Sequence, residues 1–352
     1  MRILYIGDGQ PVNTSFHRAA ALRRIGHEVI HVDPRAKLPS WRIVGGISTR
    51  IGLWPFAPWI NSTLRQSVGG AQFDLAWVDG GAELSPSFHR WLKRRGIKIV
   101  NYNCDDPFGS RDGRKWDMYR RSVCIHDATV VVRAENIPEA KACGAKKVMH
   151  VFRSYDPVAH APCVLGEEDR QRWSSEVVFV GSWMPERGPF MLQLVEAGIP
   201  LSIWGDHWQH APEWEQLHSI VRGPAAVGTN YVKSLQCAKI ALGLLSKGNR
   251  DLHTQRSAEV PFIGGPVFCA ERTTEHEKMY REGTQALFWS SAAECARKCH
   301  AILADEERRS CMAAAARARV LQLGLSNDSI VSWVLDSLTA NSSTLSRDLR
   351  AN

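Results

Sequence analysis

The chain has 352 residues, of which 44% are hydrophobic and 23% charged, so it is long enough for two domains of ordinary globular composition. Nine scattered cysteines without paired CxxC spacing argue against a disulfide framework, and no apolar run reaches membrane-spanning length. A net charge of +8 permits anionic partners, but no nucleic-acid motif accompanies it. We expect a cytoplasmic protein that does not bind nucleic acid, with association at the inner face of the membrane left open.

The N-terminal half begins with a βαβ pattern. The pattern partly matches a dinucleotide-binding fingerprint, with Gly7, Gly9 and Asp33 at the expected places, but the third glycine is missing. We therefore favour a wall of an interdomain cleft over a nicotinamide site in this loop. The Pro-, Gly- and Trp-rich segment 34–67 is predicted to be irregular, as a packed excursion, a cover for an acceptor pocket or a membrane-contacting surface.

Two adjacent carboxylates, Asp105 and Asp106, follow a predicted strand and precede a proline. Acidic side chains at the carboxyl end of a strand are candidates for a catalytic base or a metal ligand, and they also serve as loop caps. The doubled βα layout disfavours the metal-ligand interpretation. All three roles stay open from sequence.

The βαβ pattern restarts after a polar, proline-containing connector, which predicts one domain over 1–162 and a second over 163–325. Gly181 and Ser182 follow the first strand of the second domain, and Arg187 comes shortly after them. A glycine-containing loop followed by a basic residue is suited to binding an anionic group.

The stretch Ser246–Ala270 carries the strongest functional pattern in the chain. It lies between two buried apolar runs and contains Lys247, Arg250 and Arg256, two carboxylates eight residues apart and a double glycine. This order predicts phosphates held by basic groups and helix amides, with a carboxylate accepting hydrogen bonds from sugar hydroxyls. The alternative is a solvated charged loop before a packed helix. The carboxylates and glycines are Asp251, Glu259, Gly264 and Gly265.

The C-terminal region is predicted to form a helix over 326–340, with apolar residues recurring on one face, and then a polar, frayed tail over 341–352. Cys295 and Cys299 are spaced to share a helix face, but no further ligands at zinc spacing follow them. We therefore expect no metal site.

Several longer segments together resemble the spore-maturation-protein (CgeB-like) glycosyltransferases, a branch near glycosyltransferase family 4. The similarity spans about Ile99 to Ser291. The segments are NYNCDDP, CGAKKVMHVFRSYDPVAHAP, VVFVGSWMPERGPFMLQLVEAGIPLSIWGDHW, TQRSAEVPFIGGPVF and ALFWSS.

This resemblance implies the GT-B fold: two Rossmann-like doubly wound α/β domains facing a cleft, with a C-terminal helix that crosses back to the first domain. It implies a nucleoside-diphosphate sugar as donor substrate, with no metal or other cofactor, and a glycan, lipid-linked or small-molecule acceptor on the side of the first domain. The residues implied at the donor are Gly181, Ser182, Arg187, Lys247, Asp251, Arg256, Glu259, Gly264 and Gly265.

Two of these positions depart from the family pattern. Ser182 stands where arginine is common, and Asp251 is a shortened version of the first glutamate of the E-x7-E motif, whose second glutamate corresponds to Glu259. Asp105 or Asp106 would be the base of an inverting enzyme, and Arg187 would stabilise the leaving group. A nucleotide-sugar epimerase and a noncatalytic nucleotide-sugar-binding protein remain as alternatives.

Overall fold

Two parallel β-sheets organise the chain in the computed structural model, which describes residues 1–36, 50–347 and 349. Each sheet belongs to its own compact unit. Unit 1 comprises Met1–Phe152, Gly248–Arg250 and Asn327–Asp348, and unit 2 comprises Arg153–Lys247, Asp251–Ser326 and Leu349–Asn352. The first division of the chain thus falls after Phe152, where the sequence analysis places it after Pro162.

The sheet of unit 1 has seven strands in the order β13-β6-β5-β4-β3-β1-β2, and every neighbouring pair is parallel. Most of these strands are buried along nearly their whole length, as expected for a parallel sheet covered on both faces. The strands are β1 Arg2–Ile6, β2 Glu28–Val32, β3 Leu75–Asp79, β4 Lys98–Asn103, β5 Ala128–Val131, β6 Val148–His150 and β13 Thr344–Ser346.

The sheet of unit 2 has six strands in the order β12-β11-β10-β7-β8-β9, again all parallel. Its strands are β7 Ser175–Val180, β8 Leu201–Trp204, β9 Val221–Gly223, β10 Ala238–Gly243, β11 Val267–Glu271 and β12 Leu287–Trp289.

Helices connect successive strands in both units. In unit 1 they are α1 Thr14–Arg24, α2 Ala57–Val68, α3 Pro86–Arg94, α4 Asp117–Ser122, α5 Asn136–Ala142 and α14 Asn327–Asp336. In unit 2 they are α6 Glu167–Trp173, α7 Arg187–Glu196, α8 Trp214–Leu217, α9 Thr229–Gln236, α10 Arg256–Ile263, α11 Thr274–Met279, α12 Ala292–Leu303 and α13 Glu306–Gln322. Among the described residues, no helix combines the length and apolarity needed to span a bilayer.

The prediction of an irregular segment over 34–67 is wrong from Ala57 onward, because these residues begin helix α2. Its buried side chains recur at the helical period, with Ala57, Ile60, Leu64 and Val68 facing the core. Proline occupies the first turn, where a missing backbone N–H costs nothing. The rest of the predicted segment includes residues 37–49, which lie outside the described residues.

The C-terminal segment returns to unit 1, as predicted. Helix α14 packs against α1, and Arg24 forms an ion pair with Asp328 at 2.5 Å. The prediction of a frayed tail is wrong over Thr344–Ser346, because β13 pairs with β6 and extends the sheet. Backbone pairing with an edge strand needs no apolar pattern, so the polar composition of the tail did not indicate it.

Candidate functional site

The strand order of unit 2 reverses between β7 and β10, which are neighbours in the sheet. From β7 the chain continues through β8 to β9 on one side, and from β10 it continues through β11 to β12 on the other. In an open α/β sheet, ligands bind outside the carboxyl ends of the strands at such a switch point. The loops that leave β7 and β10 meet there: the backbone N–H of Lys247 donates to Glu186 Oε1 at 3.1 Å.

The loop after β7 is closely packed around Gly181. Its N–H donates to the carbonyl of Trp204 at 2.9 Å, and its carbonyl accepts from Trp208 Nε1 at 3.0 Å. A Cβ at Gly181 would lie 2.7 Å from Cζ of Phe179, so a side chain at this position would displace the neighbouring ring. Glycine is therefore required here for close packing, which brings the backbone of the loop to the switch point.

Arg187, the first residue of α7, folds back onto the same loop. Its Nη1 donates to the carbonyl of Ser182 at 2.7 Å, and its guanidinium lies 5.3 Å from the ring centroid of Phe179. The side chain is only 7% exposed. Arg187 thus brings positive charge to the loop while also holding the loop's backbone.

Arg256 and Glu259 stand together in the first turn of α10, directly beside the end of β7. Arg256 donates to the carbonyl of Val180 from Nε at 3.4 Å and from Nη2 at 3.3 Å, and its Nη1 lies 3.4 Å from Glu259 Oε2. Burial lowers the pKa of Arg256, but electrostatic interactions with Tyr231 and Glu259 outweigh that effect and raise it, so the guanidinium stays charged.

Glu259 is almost fully buried and is held by residues from two other segments. Tyr231 donates its hydroxyl hydrogen to Glu259 Oε2 at 2.6 Å, and His160 Nε2 lies 3.6 Å from Oε1. The ring of Tyr231 also lies 4.8 Å below the guanidinium of Arg256. No pattern in the sequence indicated Tyr231 or His160 as site residues. Both come from distant segments, and only the folded chain places them against the motif.

Lys247 and Asp251 have contrasting environments. Lys247 is 57% exposed in its side chain and pairs with Glu271. Asp251 is buried, and its Oδ1 lies 3.2 Å from Arg153 Nη2. The exposed ammonium is therefore accessible to an anion, whereas the carboxylate of Asp251 already neutralises a cation of its own unit.

Gly264 and Gly265 lie at the C-terminal end of α10, the opposite end from Arg256. Both have positive φ, and a Cβ at Gly265 would lie 2.9 Å from the carbonyl oxygen of Gln236. An eight-residue helix is about 12 Å long, so the glycines are far from the switch point. This position does not support the predicted role of the pair in donor binding: the glycines turn the chain from α10 into β11.

A second group of polar atoms lies at the start of α7. Trp183 Nε1 and Glu213 Oε2 are buried without a hydrogen-bond partner among the residues described. A Cβ at Gly188 would overlap the Glu213 carboxylate, so glycine is needed for this side chain to reach the helix. The sequence analysis missed Trp183 and Glu213, and no motif spacing signals them.

Asp105 and Asp106 of unit 1 differ in burial and in how far their side chains are already held by hydrogen bonds. Asp106 is 4% exposed and accepts two hydrogen bonds from Arg250, at 2.6 and 2.7 Å, and one from Asn136 at 2.9 Å. Burial raises the pKa of Asp106, but the bonds from Arg250 and Asn136 outweigh it and lower the pKa. Asp105 is only partly buried, and its backbone N–H donates to Asn103 Oδ1.

The glycine-containing loop after β1 already packs against and hydrogen-bonds to other residues of the protein. The N–H of Gly9 donates to Asp33 Oδ2 at 3.1 Å, and a Cβ at Gly7 would lie 2.9 Å from Cβ of Asp79. Asp79 in turn pairs with Arg18 through bonds of 2.5 and 2.8 Å. Close packing around this buried ion pair therefore explains why a glycine occupies position 7.

Comparison with known proteins agrees with this architecture. A family model described as glycosyl transferase-like matches residues 187–328. No curated protein sequence matches the chain.

Solved structures of similar fold cover nearly the whole chain. Sucrose-phosphate synthase from Thermosynechococcus elongatus has a TM-score of 0.69 at 13% identity, covering 97% of this chain and 100% of that one. HepE from Anabaena in complex with UDP-glucose has a TM-score of 0.66 at 12% identity, covering 96% and 100%. A putative UDP-N-acetylglucosamine 2-epimerase from Listeria monocytogenes has a TM-score of 0.58 at 10% identity, covering 98% of each chain.

These similarities confirm the fold prediction of two Rossmann-like α/β domains of the GT-B type. At 10–13% identity they show the fold alone.

Proposed function

We propose that this protein is a glycosyltransferase that takes its sugar from a nucleoside-diphosphate sugar bound by unit 2. The observation that carries the proposal is the pairing of Arg256 and Glu259 beside the carboxyl end of β7, at the switch point of the sheet. A fixed cation and a fixed carboxylate in one helical turn suit a ligand that carries both phosphate and sugar hydroxyls. The glycosyl transferase-like family match includes both residues.

The proposed chemistry follows from charge development during sugar transfer. As the glycosidic bond breaks, the leaving nucleoside diphosphate gains negative charge, so donors aimed at the pyrophosphate stabilise the transition state more than the ground state. Lys247, Arg256 and Arg187 are the proposed donors, together with the backbone N–H of Ser182. Gly181, whose own N–H donates to Trp204, would let the loop approach the ligand closely. We propose that these groups act without a bound metal.

Glu259 is the proposed acceptor for the ribose hydroxyls. Its two oxygens already face Tyr231 and His160, and these contacts hold the carboxylate in one orientation. For Asp251 we propose contact with the transferred sugar, in which case a sugar hydroxyl would have to share the carboxylate with Arg153.

The acceptor and the catalytic base are proposed to belong to unit 1. Asp105 is the better candidate for a base, because its side chain is partly exposed while both oxygens of Asp106 accept hydrogen bonds from Arg250. A glycan, a lipid-linked glycan or a small molecule is the proposed acceptor class. Trp54 and Trp59, which are 59% and 42% exposed, support contact with a lipid-linked acceptor or a membrane surface.

The second candidate function is a nucleotide-sugar epimerase, favoured by the fold shared with the putative epimerase from Listeria monocytogenes. An epimerase would convert the donor with no acceptor present. A glycosyltransferase would release nucleoside diphosphate in an acceptor-dependent manner, and a binding protein would do neither.

The first test is thermal stabilisation of the purified protein by UDP, GDP, dTDP, CMP, ADP and NAD. A ligand at 100 times its dissociation constant stabilises by about 2.7 kcal/mol, a readily measured shift. We expect one nucleoside diphosphate to stabilise the wild type, and the effect to disappear in Glu259→Ala and Arg256→Ala. The proposal would be refuted if NAD alone stabilised the protein, or if none of the nucleoside diphosphates did. Activity that EDTA abolishes and magnesium restores would refute metal independence.

A further inference from the structure

A polar groove of about 570 Å³ lies on unit 1 between helices α2 and α3. Each of these helices follows one strand and leads to the next parallel strand, so their first turns lie toward the edge of the sheet where the strands end. Ligands of open α/β sheets bind at that edge. The residues that line the groove are Pro58, Asn61, Ser62, Arg65, Gln66 and Ser87.

Three polar side chains where α2 meets α3 hold one another. Asn61 Nδ2 donates to Ser85 Oγ at 2.8 Å and to Ser87 Oγ at 3.1 Å. Ser85 donates its hydroxyl hydrogen to Asn61 Oδ1 at 3.0 Å, so the hydrogen between the two serine hydroxyls comes from Ser87. Every side-chain hydrogen of this group is therefore used internally. The group fixes one wall of the groove and leaves ligand binding to the other side chains.

The side chains that remain for a ligand lie along the outer face of α2. Ser62, Arg65 and Gln66 are exposed, and within the described part of the chain their side chains form no hydrogen bond or ion pair. Arg65 nevertheless has a defined position, because its guanidinium lies over the ring of Trp91 at 5.6 Å from the centroid. Stacking of this kind covers the face of a guanidinium and leaves its N–H groups available to an anion.

The charge of the two helices favours an anionic ligand. Their basic residues are Arg65 in α2 and Arg90, Lys93 and Arg94 in α3, and neither helix contains an Asp or a Glu. An anion in the groove therefore meets no carboxylate on either helix. One guanidinium balances one carboxylate and can bind it through two parallel hydrogen bonds. A phosphate monoester carries about −1.5 to −2 charges, so a single arginine would leave it only partly neutralised.

Trp59 adds a flat apolar surface beside these polar groups. It is 42% exposed and lies three residues before Ser62 on α2, so the two side chains share one face of the helix. A sugar ring has an apolar face of C–H groups and an edge of hydroxyls. An exposed indole next to a serine hydroxyl, a glutamine amide and a guanidinium suits such a ring when it also carries a negative charge.

We propose that this groove binds a sugar unit that carries a carboxylate, such as a uronic acid. Arg65 pairs with the carboxylate, Ser62 and Gln66 bind hydroxyls, and Trp59 packs against the ring. That this sugar belongs to the acceptor glycan rests on the proposed glycosyltransferase function, whereas its binding to the groove does not.

The test is titration calorimetry of the full chain, without nucleotide, against trisaccharides of galacturonic acid, glucuronic acid and N-acetylneuraminic acid. We expect one of them to bind once per chain and its neutral methyl ester to bind about ten-fold more weakly. Added salt should weaken binding of the acid but not of the ester. The proposal is overturned if none of the three acids binds, if the ester binds equally well, or if glucose 6-phosphate binds more tightly than the acids.

Variants place the binding in the groove. Arg65→Gln should weaken binding of the acid about ten-fold, and Arg65→Lys should restore part of the affinity, because an ammonium keeps the charge but not the two parallel N–H groups. Trp59→Ala should weaken binding of acid and ester alike, by about five-fold. Arg121→Gln is the matched control, since it removes the same charge from an exposed site on α4 outside the groove. Equal losses in Arg65→Gln and Arg121→Gln would overturn the proposal.

The same proteins separate this proposal from the proposed function. Arg65→Gln should keep the wild-type stabilisation by the preferred nucleoside diphosphate, because Arg65 belongs to unit 1 and the donor is proposed to bind unit 2. Binding of an acidic sugar by a protein that no nucleoside diphosphate stabilises would refute the glycosyltransferase and leave the groove assigned. The comparison of acid and ester uses the wild type, so it decides even where a variant does not fold.

Discussion

Tyr231 donates its hydroxyl hydrogen to Glu259 at 2.6 Å, and both side chains are buried. Burial raises the pKa of Tyr231 well above its ordinary value, so the phenol is a hydrogen-bond donor at neutral pH. Because a hydrogen bond to a charged group is worth about 1.5–3 kcal/mol, this contact is strong enough to fix the carboxylate.

Tyr231→Phe should therefore weaken binding of the preferred nucleoside diphosphate by about ten- to a hundred-fold, since the carboxylate can then rotate away from the position in which we propose that it binds the ribose. Titration calorimetry measures this directly. Tyr119→Phe is the matched control, because Tyr119 is also buried and donates to an amide oxygen, that of Asn101, in unit 1. An equal loss of affinity in both variants would show a general effect on stability.

Lys247→Ala should weaken diphosphate binding by about ten-fold and flatten its dependence on salt, because an exposed ammonium attracts phosphate through a screened interaction. Lys239 provides the control: it is similarly exposed and pairs with Glu176, but it lies on β10 itself. Lys239→Ala should leave the dissociation constant unchanged at every salt concentration. A similar loss in both variants would indicate a response to net charge alone.

Gly205→Ala should distort the loop after β7, because its new methyl group would collide with the carbonyl oxygen of Gly181. We expect a loss of about 1–3 kcal/mol in the free energy of unfolding, together with weaker diphosphate binding. Gly70→Ala is the control, since a Cβ there meets no atom within 4 Å. Urea unfolding and calorimetry on both variants provide the comparison. Wild-type affinity in Gly205→Ala would mean that the loop is not at the diphosphate.

Asp106→Asn should lower stability by about 1–3 kcal/mol and leave most of kcat intact, because this carboxylate holds Arg250. The lowered pKa of Asp106 means that its stabilisation is complete above the unfolded value of about 3.9 and is lost as pH falls below it. The Asp106→Asn variant should therefore lack the part of the pH dependence of unfolding that comes from this carboxylate. Asp105→Asn should instead lower kcat at unchanged stability. The reverse pattern would make Asp106 the base.

His89 predicts a second pH effect, in the mildly acid range. Burial lowers the pKa of His89 to about 4, and Nδ1 donates to the carbonyl of Ser85 at 2.9 Å. The unfolded histidine takes up a proton near pH 6.5, so unfolding becomes easier as pH falls from there to 4, by about 3 kcal/mol. His89→Asn should reduce this slope in urea titrations, whereas substituting the exposed His218 should not.

The sequence determined most strands of both sheets, although not β13, because buried parallel strands are continuous apolar runs, as in Ala238–Gly243 and Ser175–Val180. It also indicated Arg256 and Glu259, since both lie within one short motif after a strand. Local spacing is sufficient for such features, because strand, loop and helix are neighbours in the chain.

Only the tertiary structure decided which side chains belong to the candidate site and which predicted residues lie away from it. Tyr231 and His160 reach Glu259 from distant segments, Arg250 neutralises Asp106 across more than a hundred residues of sequence, and the glycine pair lies at the far end of its helix. Strand order and helix packing bring these residues together, and neither leaves a local pattern in the sequence.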